Sequence, residues 1–285
     1  MVIAVYVLIV LAAVAQCATT KLFNRHCASS AIFNAVKAFT AFALFALIAA
    51  FDFHFHAPTA LFGVLYGVCL CISMYAGYQA LCRGPMALTS MLVSFSVIIP
   101  LIWGITAGNE LLKRTQSVAF IFLFFAIILT NADKLRVKKS TETDYSMWLL
   151  FVFVTFVCNG ICSILQKQHQ TLYPEAYSKE CMFFAMLLCS AVFLLATLRK
   201  MSFGELKKVK GKRYGVLSGL TNGIANFLTL ILAGMENASV LFPIISAGTV
   251  FASLLCGKLL FKEKLKANHC AALVAGVVAV VLLKL

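Results

Sequence analysis

Ser30, Asn34 and Lys37 recur at helical spacing inside a long apolar run, which sets a hydroxyl, an amide and an ammonium on one face. Asn222 and Asn226 stand one turn apart in another such run, and Tyr75, Tyr78 and Gln79 cluster in a third. Gln16 and Asn159 occupy corresponding places in two more, and Ser90 with Ser94 answers Ser246, Thr249 and Ser253. Amides, hydroxyls and one ammonium recognise polar solutes by hydrogen bonding; they do not break bonds unaided. The catalytic patterns are missing: the chain has no Ser/His/Asp set, no phosphate-cradling glycine loop and no HExxH. A polar group in hydrocarbon is costly unless it pairs or faces water. One alone reads as a helix-to-helix hydrogen bond, but so many in the same set of runs read as the lining of a wet cavity. Lys37 has two readings, an ammonium snorkelling to the interface or one lining that cavity opposite an anionic group.

The elements that must position these groups are transmembrane helices. Hydrophobic residues make up 62% of the chain and charged residues 12%, with mean hydropathy +0.96, too few polar groups to coat a soluble globule. Ten apolar runs reach the roughly 18 residues that cross a bilayer: 2–19, 31–51, 57–81, 85–107, 116–131, 147–165, 180–198, 214–235, 238–260 and 267–283. The first could be a secretory signal, but it lacks a basic leader and has a long apolar core, so it is expected to be retained.

The runs fall into two copies. GPMALTSMLVSFSVIIPLIWGITAGNE (84–110) is echoed by NASVLFPIISAGTVFASLLCGKLLFKE (237–263), with Gly104 before Glu110 matched by Gly257 before Glu263. GVLYG at 63–67 matches GVLSG at 215–219. The expectation is an all-α membrane protein of ten helices, with a first five-helix repeat over 1–132, a cytoplasmic linker over 133–146 and a second repeat over 147–285. An odd number of spans per copy makes the repeat inverted.

Loops 1–2, 3–4, 5–6, 7–8 and 9–10 hold most of the 24 Lys and Arg residues, which places them in the cytoplasm and both termini outside. The net charge of +14 then belongs to basic loops beside anionic lipid. The basic run 207–213 lacks aromatic residues to stack bases, so no nucleic-acid partner is expected. Most of the eleven cysteines lie within spans, where small side chains pack helices together. Cys158 and Cys162, one turn apart, and His54 with His56 lack further ligands, so no metal and no cofactor is expected and the two histidines read as solvated loop. Asp52, Glu110 and Glu236 fall at span ends and Glu263 in a loop, none where a midplane proton-coupling acid would sit. Gly63 with Gly67, and Gly215 with Gly219 and Gly223, line single faces and predict close helix contacts at equivalent places in the two copies.

Two five-span repeats, each closing on a Ser-bearing apolar span, a Gly, a Glu beside Lys or Arg and an aliphatic last helix, resemble the EamA-like branch of the drug/metabolite transporter superfamily. The segment 237–283 carries the likeness best, and 84–131 carries it again. The resemblance implies a ten-helix bundle with a substrate cavity between its halves, working by alternating access in efflux or exchange. Four-helix multidrug relatives use an acid in the first span; Gln16 and Asn159 stand in the corresponding spans here, against proton-coupled export of cationic drugs. Many relatives also keep their termini inside, unlike the charge bias here.

The sequence therefore points to a secondary transporter of a small polar or amphipathic metabolite, not an enzyme, in the cytoplasmic (inner) membrane of a bacterium. Gln16, Asn34, Lys37, Tyr75, Gln79, Ser94, Asn159, Asn222 and Asn226 are expected to line its cavity. Its partners are a small-molecule substrate and the bilayer, with a coupling ion or exchange partner and the oligomeric state left open. A membrane-embedded enzyme or a non-transporting scaffold is the alternative.

Overall fold

A computed structural model describes residues 2–24, 29–83, 92–93, 95–108, 114–131, 142–174, 176–199 and 211–261, with short pieces of 271–282. Every regular element among them is helical: α1 Val2–Asn24, α2 Ser30–Phe51, α3 Ala57–Arg83, a 3₁₀ turn Phe95–Val97 running into α4 Ile98–Thr106, α5 Arg114–Asn131, α6 Glu142–Leu172, α7 Ser178–Leu198, α8 Lys212–Met235 and α9 Ala238–Phe261. Among the described residues six stretches are long and apolar enough to cross a membrane: Val2–Thr20, Ser30–Phe51, Ala57–Ala80, Tyr145–Leu172, Ser178–Leu198 and Lys212–Met235. Helices suit such sequences because hydrocarbon offers no partner for backbone polar groups, and an α-helix satisfies its own. Large apolar side chains such as Ile3, Leu11, Leu47, Phe51, Ile121 and Phe153 point outward.

Local signals set the ends. Pro58 occupies the first turn of α3, where its missing N–H costs nothing. Pro174 follows α6, and Gly211, at φ 85°, precedes α8. Two boundaries differ from expectation. α6 starts at Glu142, inside the expected linker, and runs on past Leu165 to Leu172. Of the span expected over 85–107, the described part is residues 92–93, the 3₁₀ turn and α4 with Ala107, and most of 267–283 lies outside the described residues.

The chain forms two compact units, neither of which follows one half of the sequence. The first comprises Met1–Tyr75 and Leu165–Gly234, the second Ala76–Ile164 and Met235–Leu285. Within the first, glycines bring helix backbones together twice. On α3, a methyl group at Gly63 would stand 2.7 Å from the Cys181 carbonyl oxygen, and one at Gly67 2.9 Å from that of Ala185, both on α7. On α8, a methyl at Gly215 would stand 2.9 Å from Val36 Cγ1, one at Gly219 would collide with the Lys37 carbonyl, and one at Gly223 would lie 3.3 Å from Phe45 Cε2, all on α2. Residue numbers rise together along each pair, so both pairs are parallel. Further contacts join α2 to α7: Thr197 Oγ1 donates to the Ala31 carbonyl at 3.2 Å, and Phe42 meets Phe183 at 5.7 Å between centroids.

In the second unit Arg83 donates to the Gln79 side chain and sits 4.9 Å over the Phe151 ring. Pro243 lies within α9, where it withholds the N–H that would bond the carbonyl one turn earlier.

Candidate functional site

The first unit holds a connected set of polar side chains in its apolar interior. α3, α6 and α8 supply the middle of it. Tyr66 Oη donates to Asn226 Oδ1 at 2.8 Å. Gln166 Nε2 donates to Tyr66 Oη at 3.2 Å and to the Asn226 carbonyl at 3.2 Å. Asn226 Nδ2 in turn donates to the Asn222 carbonyl at 2.8 Å. Tyr66 and Gln166 are buried, so the bonds are sheltered from competing solvent, and each is worth about 1 kcal/mol net.

Toward the loops that join α2 to α3 and α6 to α7, a second series follows. His169 and Thr59 are both wholly buried. Gln170 Nε2 contacts His169 Nδ1 at 3.1 Å, Ser178 Oγ at 2.9 Å and the Ala176 carbonyl at 3.4 Å. His169 Nε2 lies 3.2 Å from Thr59 Oγ1, which lies 2.9 Å from His56 Nδ1. The half-buried His56 ring stacks on Tyr177 at 4.5 Å and meets Tyr173 edge-on at 4.8 Å. Tyr177 holds a left-handed backbone, φ 53°, uncommon for an aromatic residue, and that stack helps hold it. His54 is exposed and pairs with Asp52 at 3.1 Å, as a solvated loop residue should; His56 does not fit that reading. Lys179 also donates to Asp52. That bond, opposed by a smaller desolvation effect, keeps the Asp52 carboxyl below its ordinary range.

Among the described residues, several buried polar side chains keep an unspent bond. Asn34 Nδ2, Asn222 Nδ2 and Ser218 Oγ, on α2 and α8, have no partner, nor does Gln170 Oε1 near the loops. The buried carboxylate of Glu180 accepts the His54 backbone N–H at 3.2 Å through Oε1, while Oε2 is unpartnered. An unmet polar atom of this kind costs about 1–3 kcal/mol.

The sequence-expected residues are spread over both units. Asn222 and Asn226 come together with Tyr66 and Gln166. Asn34 is buried on α2, and Lys37, one turn on, is half-buried. Gln16 is half-buried on α1, its carbonyl accepting from Thr20 Oγ1 at 2.7 Å. Tyr75 is half-exposed at the end of the first unit. Gln79 and Asn159 belong to the second unit, the Asn159 backbone carbonyl accepting from Ser163 Oγ at 3.2 Å. Ser94 lies outside the described residues. Sequence reasoning missed Tyr66, Gln166, His169 and Gln170. The signal available for three of them was spacing: Gln166, His169 and Gln170 fall at i, i+3 and i+4 on one face.

No family model matches the chain, and no curated protein matches it. Solved structures do match. One crystal structure of a protein superposes over 98% of this chain and 94% of its own with a TM-score of 0.79, at 12% identity. At that identity the likeness is one of fold.

Proposed function

We propose that the chain is a secondary transporter of the drug/metabolite superfamily type, with ten spans in two inverted five-helix repeats, moving a small polar or amphipathic metabolite by alternating access. The observation that carries this reading is the exchange of glycine contacts. Counted as spans, the third packs in parallel on the seventh, and the eighth packs in parallel on the second. Exchanging the two halves of the sequence turns one contact into the other, as an internal duplication requires. The buried amides and phenol of the first unit then supply what a membrane helix does not need for folding alone, hydrogen-bonding capacity held in an apolar surround. Unmet Asn34 and Asn222 amide groups support a substrate with hydrogen-bond acceptors, and the Lys37 ammonium on the same helix as Asn34 suits one carrying negative charge.

The test is transport by the purified chain in proteoliposomes loaded with a mixed metabolite pool, read by mass spectrometry of the emptied and filled compartments. Transport of at least one solute class is expected, and Asn226→Ala and Lys37→Gln should each lower it while leaving the amount of protein in the bilayer unchanged. Equal fluxes in the wild type, both variants and empty liposomes would end the proposal.

A further inference from the structure

The residues that close α2 and lead into α3 put rings and polar groups in alternation: Phe51, Asp52, Phe53, His54, Phe55 and His56. Asp52 is extended, φ −161° and ψ 102°, a backbone that sends successive side chains to opposite sides. The contacts follow that rule. Asp52 and His54 meet at 3.1 Å on one side, where Lys179 of α7 joins them. On the other, Phe53 meets Phe183 at 5.5 Å and Phe184 at 6.0 Å between centroids, and Phe55 meets Phe184 at 6.1 Å. His56 leaves the pattern by turning inward to Thr59 and Tyr177. The segment is a strap with one charged edge and one aromatic edge.

The protein leaves the aromatic edge open. Phe51 is 84% exposed and Phe55 69%. The edge continues along the neighbouring helices, since Leu47, one turn before Phe51, and Leu187, one turn after Phe183, are exposed as well. Both lie on helices long and apolar enough to cross a bilayer. Tyr173 and Tyr177 stand half-buried beside His56 at the same end, and rings with a polar tip gather where hydrocarbon gives way to water. The other edge narrows the kind of surface. The carboxylates of Asp52 and Glu180 both lie by the one ammonium of Lys179, so with His54 neutral the strap has no positive surplus to draw it to anionic lipid. Apolar area is the attraction that remains.

We propose that this strap is a lipid-interface anchor: Phe51, Phe53 and Phe55 enter the upper acyl chains of a phospholipid bilayer while Asp52, His54 and Lys179 stay among the headgroups, whatever the headgroup charge. The open edge runs without a break onto the flanks of membrane-crossing helices, which selects the bilayer as its occupant over a second copy of the chain. The anchor rests on those helices crossing a membrane and not on the transport reading; it holds whether or not any solute moves. It also sets the level of the buried polar series, because Thr59 begins one turn on from Phe55 and so lies just inside the hydrocarbon boundary.

The test places a tryptophan on each edge in turn, as Phe55→Trp and His54→Trp, in the full chain in phosphatidylcholine nanodiscs, with the emission of the native Trp103 and Trp148 subtracted. At position 55, lipids brominated near the head of the acyl chain should quench about twofold more strongly than lipids brominated near its end, because interfacial elements sit about 5–10 Å deep, and aqueous iodide should quench little. At position 54 iodide should quench and brominated lipid should not. Exchanging part of the phosphatidylcholine for phosphatidylglycerol, or adding salt, should leave the result at position 55 unchanged. Phe51→Trp, on the same edge, repeats the measurement if Phe55→Trp does not fold. Quenching at position 55 by iodide and not by brominated lipid puts the strap in water and overturns the anchor. Shielding from both quenchers overturns it in favour of a protein partner, and equal responses at positions 54 and 55 overturn the two-edged arrangement on which it stands. Quenching by brominated lipid that appears only with phosphatidylglycerol present overturns its indifference to headgroup charge.

Discussion

Tyr66 on α3 and Asn226 on α8 meet through a 2.8 Å bond, and Gln166 on α6 closes the group by donating to both residues. Three helices from distant parts of the chain are tied at one phenolic oxygen. Tyr66→Phe removes the donor to Asn226 and the acceptor for Gln166 while keeping the ring. It should destabilise the protein by about 1–3 kcal/mol, because it leaves buried partners unmet. Thermal unfolding in detergent, followed by intrinsic fluorescence, checks this; an unchanged midpoint would show that the bond contributes nothing.

Ser218 and Asn222 give the opposite expectation. Their side-chain Oγ and Nδ2 are buried without partners among the described residues, and the Asn222 carbonyl that holds Asn226 is backbone. Ser218→Ala and Asn222→Leu should leave the melting temperature unchanged or raise it, while Asn222→Leu lowers transport. A marked loss of stability in Ser218→Ala would mean that its hydroxyl is engaged after all.

Gly67 and Gly219 should respond alike. A methyl group at either meets backbone on the facing helix, Ala185 or Lys37, and backbone yields little. Gly67→Ala and Gly219→Ala are each expected to cost about 1–3 kcal/mol, measured as loss of midpoint in the same unfolding assay. Tolerance of one and not the other would break the equivalence of the two contacts.

The exposed Asp52 gives a small pH effect of definite sign. Its carboxyl is held below the ordinary 3.8 chiefly by the Lys179 hydrogen bond. A lowered folded value means that the stabilisation is present above about 3.8 and is lost as pH falls through the folded value. Lys179→Met should flatten that acid limb in a melting-temperature profile, and added salt should flatten it in the wild type, as expected of a solvent-exposed pair.

Six of the expected spans, the first three and the sixth to eighth, were legible in the sequence because a long apolar run has few fates other than a membrane helix. Span 6 shows where that reasoning stops. The residues Gln166 to Gln170, QKQHQ, look like an exit from the bilayer, since five polar groups in hydrocarbon are prohibitive. In the fold Gln166 finds Tyr66, Lys167 finds the Ala233 carbonyl, His169 finds Thr59 and Gln170 finds Ser178, and the helix runs on to Leu172. Apart from Ser178, those partners lie far away in the chain, and nothing local announces them. Asn222 and Asn226 were legible as a pair because they sit one turn apart in an otherwise apolar helix. His56 was read as solvated because its stacking partner, Tyr177, is supplied by a turn more than a hundred residues downstream.

Side chains change rotamer cheaply, but peptide planes in direct touch have no such freedom. Where Gly215 and Gly219 lay α8 against α2, and Gly63 and Gly67 lay α3 against α7, each couple must travel as a single stave. Rearrangement inside this unit is then expected at the seams, and one of them is where Tyr66 of one stave meets Asn226 of the other beside Gln166 of α6.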